Sequence, residues 1–73
     1  MNLSEYIEIN PEIRFGKPTI KNTRISVSDV LNWLANDMSI DEILLDFPEL
    51  SLKSIQACLK YAANKESLTR IVS

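Results

Sequence analysis

Residues 39–60 read SIDEILLDFPELSLKSIQACLK, and this stretch decides the fold. It opens on Ser39-Ile40-Asp41-Glu42, a capping box in which the Ser39 side chain accepts from the third helical amide and Glu42 reaches back. Ile40, Ile43, Leu44 and Phe47 follow at i, i+3, i+4, i+7, one apolar helical face. Met38 and Ile43 stand at the hydrophobic-staple positions. Pro48 stops the helix, because the residue before proline resists helical geometry. A two-turn helix over Ile40–Phe47 is therefore expected, then a short turn at Pro48-Glu49-Leu50. Ser51 caps a longer helix over Leu52–Asn64, with Leu50 and Ile55 as its staple. Leu52, Ile55, Leu59 and Ala62 are expected to form its buried face, with Cys58 beside them. These are the proportions of a helix-turn-helix, whose second helix reads the DNA major groove with its N-terminal part.

Upstream, Ser26 and Asp29 form a similar box before Val27, Val30, Leu31 and Leu34, which predict a first helix over Val27–Ala35. Asn36-Asp37 ends it. The first 25 residues read as strands and turns. Tyr6-Ile7-Glu8-Ile9 is rich in β-formers, and Asn10-Pro11 breaks it. Phe15-Gly16-Lys17-Pro18 is a turn or an extended lead-in. Pro18-Thr19-Ile20 and Thr23-Arg24-Ile25 flank Lys21-Asn22, so a hairpin around Asn22 is expected, asparagine tolerating left-handed backbone. The expected fold class is mainly α: a three-helix helix-turn-helix bundle with a small N-terminal β-hairpin or strand element. It is one domain, with the β-element over residues 1–25, the bundle over 26–64 and a tail over 65–73.

Composition sets limits. At 73 residues the chain buries only about 60% of its unfolded surface. Leu, Ile, Val and Phe make up nearly a third of it, too much for a disordered chain. One cysteine excludes an internal disulfide and a Cys-rich zinc site, and the absence of histidine removes histidine acid–base chemistry and most zinc sites. No apolar run approaches a bilayer span, and the N-terminus lacks a signal-peptide pattern, so a reduced, cytoplasmic protein without membrane partners is expected. No catalytic constellation, metal site or cofactor is expected, and Cys58 reads as a core residue. An enzyme is not expected.

Charge is unevenly laid out over a net of −2. Residues 13–28 carry Arg14, Lys17, Lys21 and Arg24 and no acid. Residues 29–50 carry six acids and no base. Residues 51–73 are basic again. Opposite its expected buried face, the third helix places Lys53, Gln56, Ala57, Lys60 and Asn64 on one stripe. Lysine contacts phosphate or guanine, and glutamine pairs with adenine. Ser51 and Ser54 in the first turn can donate to phosphate. The expected DNA-binding residues are thus Ser51, Lys53, Ser54, Gln56, Ala57 and Lys60, with Lys17 and Lys21 on the flank. Aromatics for stacking on single strands are missing from this face, save Tyr61.

The run Gly16-Lys17-Pro18-Thr19-Ile20-Lys21-Asn22-Thr23-Arg24-Ile25-Ser26-Val27, preceded by Tyr6-Ile7 and Ile13, resembles the signature of the domain of unknown function 433 family. Met38-Ser39-Ile40-Asp41-Glu42-Ile43, Phe47-Pro48-Glu49-Leu50 and Ile55-Cys58-Leu59-Tyr61-Ala62 are similar to its second half in order and spacing. Three positions depart from the pattern: Asn22 replaces the usual glycine, Ser26 the usual proline, and Asn36-Asp37 stands where glycine is common. The resemblance implies the homeodomain-like fold with an N-terminal β-element. It also implies an antitoxin of a type II toxin–antitoxin pair, which caps a PIN-like ribonuclease toxin and represses the shared promoter. Other members stand alone. The expected partners are then the toxin, promoter double-stranded DNA and a second copy in a homodimer, since one module offers few base contacts. The N-terminal strands are expected to pair the copies, and Leu68, Ile71 and Val72 of the tail to bind the toxin. Thr23 and Arg24 are expected to bind the start of the first helix, with Arg24 pairing Asp29. The alternative is an adaptor that does not bind DNA and docks a basic partner on its acidic helices.

Overall fold

Serine opens every α-helix of the domain. In this computed structural model, which describes residues 1–72 and side chains as far as Asn64, the helices are α1 (Val27–Ala35), α2 (Ile40–Asp46) and α3 (Leu52–Val72). The Ser26 hydroxyl accepts from the Asp29 amide at 3.0 Å, and the Asp29 carboxylate accepts from the Ser26 amide at 3.0 Å. Ser39 and Glu42 repeat the exchange on α2 at 3.1 and 3.0 Å. Ser51 and Ser54 repeat it on α3 at 3.1 and 3.3 Å, serine doing at the third position what a carboxylate does in the other two. After α1 the chain reverses through Asp37 at φ 69°, where an aspartate tolerates left-handed backbone. α2 ends at Asp46, one residue earlier than expected, because Phe47 before Pro48 leaves the helical region at φ −126°, ψ 77°.

The strands are β1 (Ile7–Ile9) and β2 (Pro18–Ile20), antiparallel, with Ile7 opposite Ile20, Glu8 opposite Thr19 and Ile9 opposite Pro18. The expected turn at Asn22 is present, at φ 65°. It does not join the two arms of a regular hairpin, though. Ile20 donates to the Ile25 carbonyl at 2.8 Å, and Thr19 bridges Ser26. The Thr23 hydroxyl donates to the Ile20 carbonyl at 2.8 Å and accepts from the Ile25 amide at 3.0 Å. The second arm is thus drawn tight by its own threonine and leads straight into the Ser26 cap. β2 takes its ladder from β1 instead, across the loop of residues 10–17.

The core gathers Ile7, Ile20, Val27, Val30, Ile43, Leu50, Ile55, Ala57 and Cys58. Every layer contributes, which is what closes a small domain around one core. Trp33 of α1 stacks on Phe47 at the end of α2, ring centroids 4.4 Å apart and planes within 8°. Thr19 and Ser26 are fully buried and both are hydrogen-bonded. The bundle is a three-helix helix-turn-helix with the two-stranded antiparallel element at its N-terminal side.

Candidate nucleic-acid interface

α2, the turn at residues 47–51 and α3 form the helix-turn-helix, and α3 offers its outer arc to solvent. Ser51, Lys53, Gln56, Lys60 and Asn64 are all exposed. Two residues expected with them are not. Ala57 is fully buried, and Ser54 is 7% exposed, its hydroxyl committed to the Ser51 amide. Neither can meet a ligand from solvent. The same displacement brings Leu52 and Leu59, expected inside, onto the outer arc at 49% and 42% exposure.

These shifts have one cause. At about 100° per residue, the buried arc of α3 centres on Cys58, roughly a quarter turn from where the leucines pointed. α1, β1 and the N-terminal 3-10 turn over Leu3–Glu5 all pack on this helix, along with α2. The side of α3 that receives them carries small residues, Ser54, Ala57 and Cys58. Small side chains let neighbouring backbones approach, whereas Leu52 and Leu59 would hold them off. Burial pushes the Cys58 thiol up to about 11, so it stays protonated at neutral pH and serves packing.

The outer arc therefore reads as two adjacent lines. Lys53, Lys60 and Asn64 form one, and Leu52, Gln56 and Leu59 the other. The first presents cations and an amide, which suit phosphate and base edges. The second is mostly apolar. Among the described residues the one ion pair is Arg14–Asp29, so neither Lys53 nor Lys60 pairs with a described carboxylate.

Lys17 and Lys21 do not join this arc. Lys17 lines an open cavity of about 340 Å³ together with Pro18, Val27, Leu31, Tyr61 and Ala62. Tyr61 and Ala62 lie on the inner side of α3, away from Lys53 and Lys60. Lys21 reaches the Ser4 carbonyl with its ammonium at 3.2 Å. The basic residues of the β-element thus form a separate surface. The expected pairing of Arg24 with Asp29 is also corrected: Arg14 takes that place. Its Nη1 donates to the Asp29 carboxylate at 3.0 Å and to the Arg24 carbonyl at 2.9 Å. Burial alone would push the Asp29 carboxyl up, but the Ser26 amide, hydrogen bonds from Arg14 and Ser26, and the Arg14 charge hold it below the usual carboxylate value. Arg24 itself is exposed.

The two most exposed large apolar residues among those described were not singled out in the sequence. Phe15 is bare to solvent at 102%, at the centre of three consecutive left-handed residues, Arg14, Phe15 and Gly16 at φ 51°, 58° and 80°. Leu45 is 82% exposed on α2. Leu45 was legible, since it falls outside the Ile40, Ile43, Leu44, Phe47 stripe. Phe15 gave no such signal. The side chains of Leu68, Ile71 and Val72, expected to bind a partner, lie outside the described residues. No helix among the described residues is long and apolar enough to cross a membrane.

Set beside known proteins, residues 7–62 match the family model described as "Protein of unknown function (DUF433)". The fold is similar to the crystal structure of a DUF433 member protein from Anabaena variabilis, with a TM-score of 0.79 and 28% sequence identity, over 96% of this chain and 70% of that one. No curated protein matches. A family match over most of the chain, with a similar overall fold, leads to one conclusion: the chain belongs to the DUF433 family.

Proposed function

We propose that the protein is a cytoplasmic DNA-binding antitoxin that acts as a homodimer, represses its own promoter through α2 and α3, and neutralises a PIN-like ribonuclease toxin by direct contact. The observation that carries the DNA-binding part is the outer arc of α3: Ser51, Lys53, Gln56, Lys60 and Asn64 stand exposed along the second helix of a helix-turn-helix. In this reading the first turn of α3 enters the major groove, Gln56 reads adenine, Lys53 and Lys60 contact phosphate or guanine, and Ser51 donates to the backbone. The toxin part rests on the family resemblance, with Leu68, Ile71 and Val72 as the contact segment.

A gel-shift titration of the promoter duplex tests the DNA part. Specific binding that weakens steeply with salt supports it, with Lys53→Ala lowering the salt slope by about one unit. Absence of a specific shift overturns it. Co-expression with the neighbouring nuclease tests the toxin part: a chain ending at Asn64 should lose inhibition while keeping the DNA shift, and retained inhibition excludes the tail.

A second reading has its own observation. Leu45, Leu52 and Leu59 are exposed on α2 and α3, and α2 carries acids that DNA would repel. An adaptor that binds protein through these helices fits them. The absence of a gel shift together with a stable protein complex selects this reading.

A further inference from the structure

We propose that the Phe15 loop of one copy docks on the acidic outer face of α2 in a second copy, and that a two-fold axis makes the exchange reciprocal. This specifies the interface of the homodimer proposed above and does not depend on DNA binding.

Phe15 and Leu45 are the two most exposed large apolar residues among those described, at 102% and 82%. Their surroundings are opposite in charge. Residues 10–25 carry Arg14, Lys17, Lys21 and Arg24 against the single acid Glu12. Residues 37–50 carry Asp37, Asp41, Glu42, Asp46 and Glu49 and no base. On α2, Asp41 and Glu42 stand one turn before Leu45 on the same side, with Asp46 adjacent, and all are exposed. Each anchor thus sits in a segment charged mainly with one sign, with Lys17 and Arg24 exposed on the loop side and Asp41, Glu42 and Asp46 on the α2 side, so a central apolar contact can supply affinity and the flanking charges orientation.

The loop is built to hold Phe15 out. Arg14 ties it to the Asp29 carboxylate and the Arg24 carbonyl, so its left-handed backbone is fixed from both sides. A loop backbone already held in place loses little freedom on docking.

Position explains why a second copy is needed. The Arg14–Asp29 bond places the loop beside the first turn of α1, and α2 begins just past the last turn of α1. Phe47, two residues after Leu45, stacks on Trp33 in the last turn of α1, so the two patches are tied to opposite ends of a helix about 14 Å long. One chain cannot close on itself, but two chains set antiparallel bring each loop to the other's α2. Such an isologous contact closes without forming a filament. β1 and β2 have three residues each and offer few hydrogen bonds for edge pairing.

Sedimentation equilibrium of the full chain without DNA tests the interface. The expected result is a dimer whose dissociation constant rises with salt and increases at least about tenfold in Phe15→Ala and in Leu45→Ala. Both residues are exposed, and circular dichroism should show the fold intact. Lys17→Glu with Lys21→Glu, and separately Asp41→Lys with Asp46→Lys, should each be monomeric. Mixed one to one, they should form a heterodimer, because both contacts are then complementary. A monomer at about 100 µM, a dimer that both alanine variants leave untouched, or a charge-swapped mixture that stays monomeric overturns the proposal. A monomer that still shifts promoter DNA overturns this interface and leaves the DNA reading standing. The proposed dimer without a DNA shift does the reverse.

Discussion

The two ends of α1 are held by different physics. At its start, Ser26, Asp29 and Arg14 form a hydrogen-bonded knot in which the cap, the first turn and the β1–β2 loop share one carboxylate. At its end the polar contacts stay local: Asn36, Asp37 and Met38 return hydrogen bonds to the Asn32, Leu34 and Trp33 carbonyls of the last turn. Trp33 stacks on Phe47, and the chain turns through Asp37. The first end specifies a loop conformation, since directional bonds fix where Phe15 points. The second supplies cohesion, since apolar contact is strong but tolerant of direction. A small domain with little surface to bury uses apolar stacking where two helices must adhere and polar bonds where a loop must take one shape.

Breaking the apolar end should cost most. Trp33→Ala removes the stacked ring between α1 and α2 and should destabilise the domain by about 2–3 kcal/mol, read as a lowered midpoint in urea unfolding. At the polar end, Ser26→Ala removes a cap hydroxyl that is fully buried and should cost about 1–2 kcal/mol in the same assay.

The next smaller effect is a pH dependence. The Asp29 carboxyl is held below its ordinary value in the folded state, so it contributes stability above the unfolded value near 3.8, and that contribution is lost as pH falls through the folded value. Asp29→Asn should therefore lower the unfolding midpoint at pH 7 and converge with the parent protein once the pH has fallen through the folded value. Parallel curves for the two proteins would mean that the Arg14 contact carries no charge-dependent stability. At the other end, Asp37→Gly should stabilise slightly, by about 0.5–1 kcal/mol, because glycine takes the left-handed conformation at no steric cost. The smallest effect is that of Arg24→Ala, expected within about 0.5 kcal/mol because only the Arg24 backbone carbonyl takes part in the knot.

Much of this architecture was legible in the residues. The span of α1 and all three serine caps follow from short-range pattern, because caps and stripes are local. The rotation of α3 was not. Leu52, Ile55 and Leu59 make as good a stripe on paper as the true buried arc, and nothing in hydrophobicity marks Ser54 and Ala57 as interior. Their burial follows from how closely neighbouring elements approach, which is a tertiary fact. The same holds for Arg14. Spacing favoured Arg24 as the partner of Asp29, five residues away, but the loop folds back and delivers a residue fifteen positions distant. Phe15 was hidden for a related reason, since aromatic residues usually pack inside and only the folded loop holds this one in solvent. The candidate interface was half visible. Lys53, Gln56 and Lys60 were placed correctly on the outer arc, whereas the two leucines that share it were assigned to the core.

The most direct measurement is an amide chemical-shift titration of the full chain with its promoter duplex. The account predicts that the shifts concentrate on residues 51–60, with the outward positions Lys53, Gln56 and Lys60 most affected, and that Gln56→Ala weakens binding by about tenfold or more. Shifts confined to the acidic face of α2, or no shift with the duplex in excess, would contradict it.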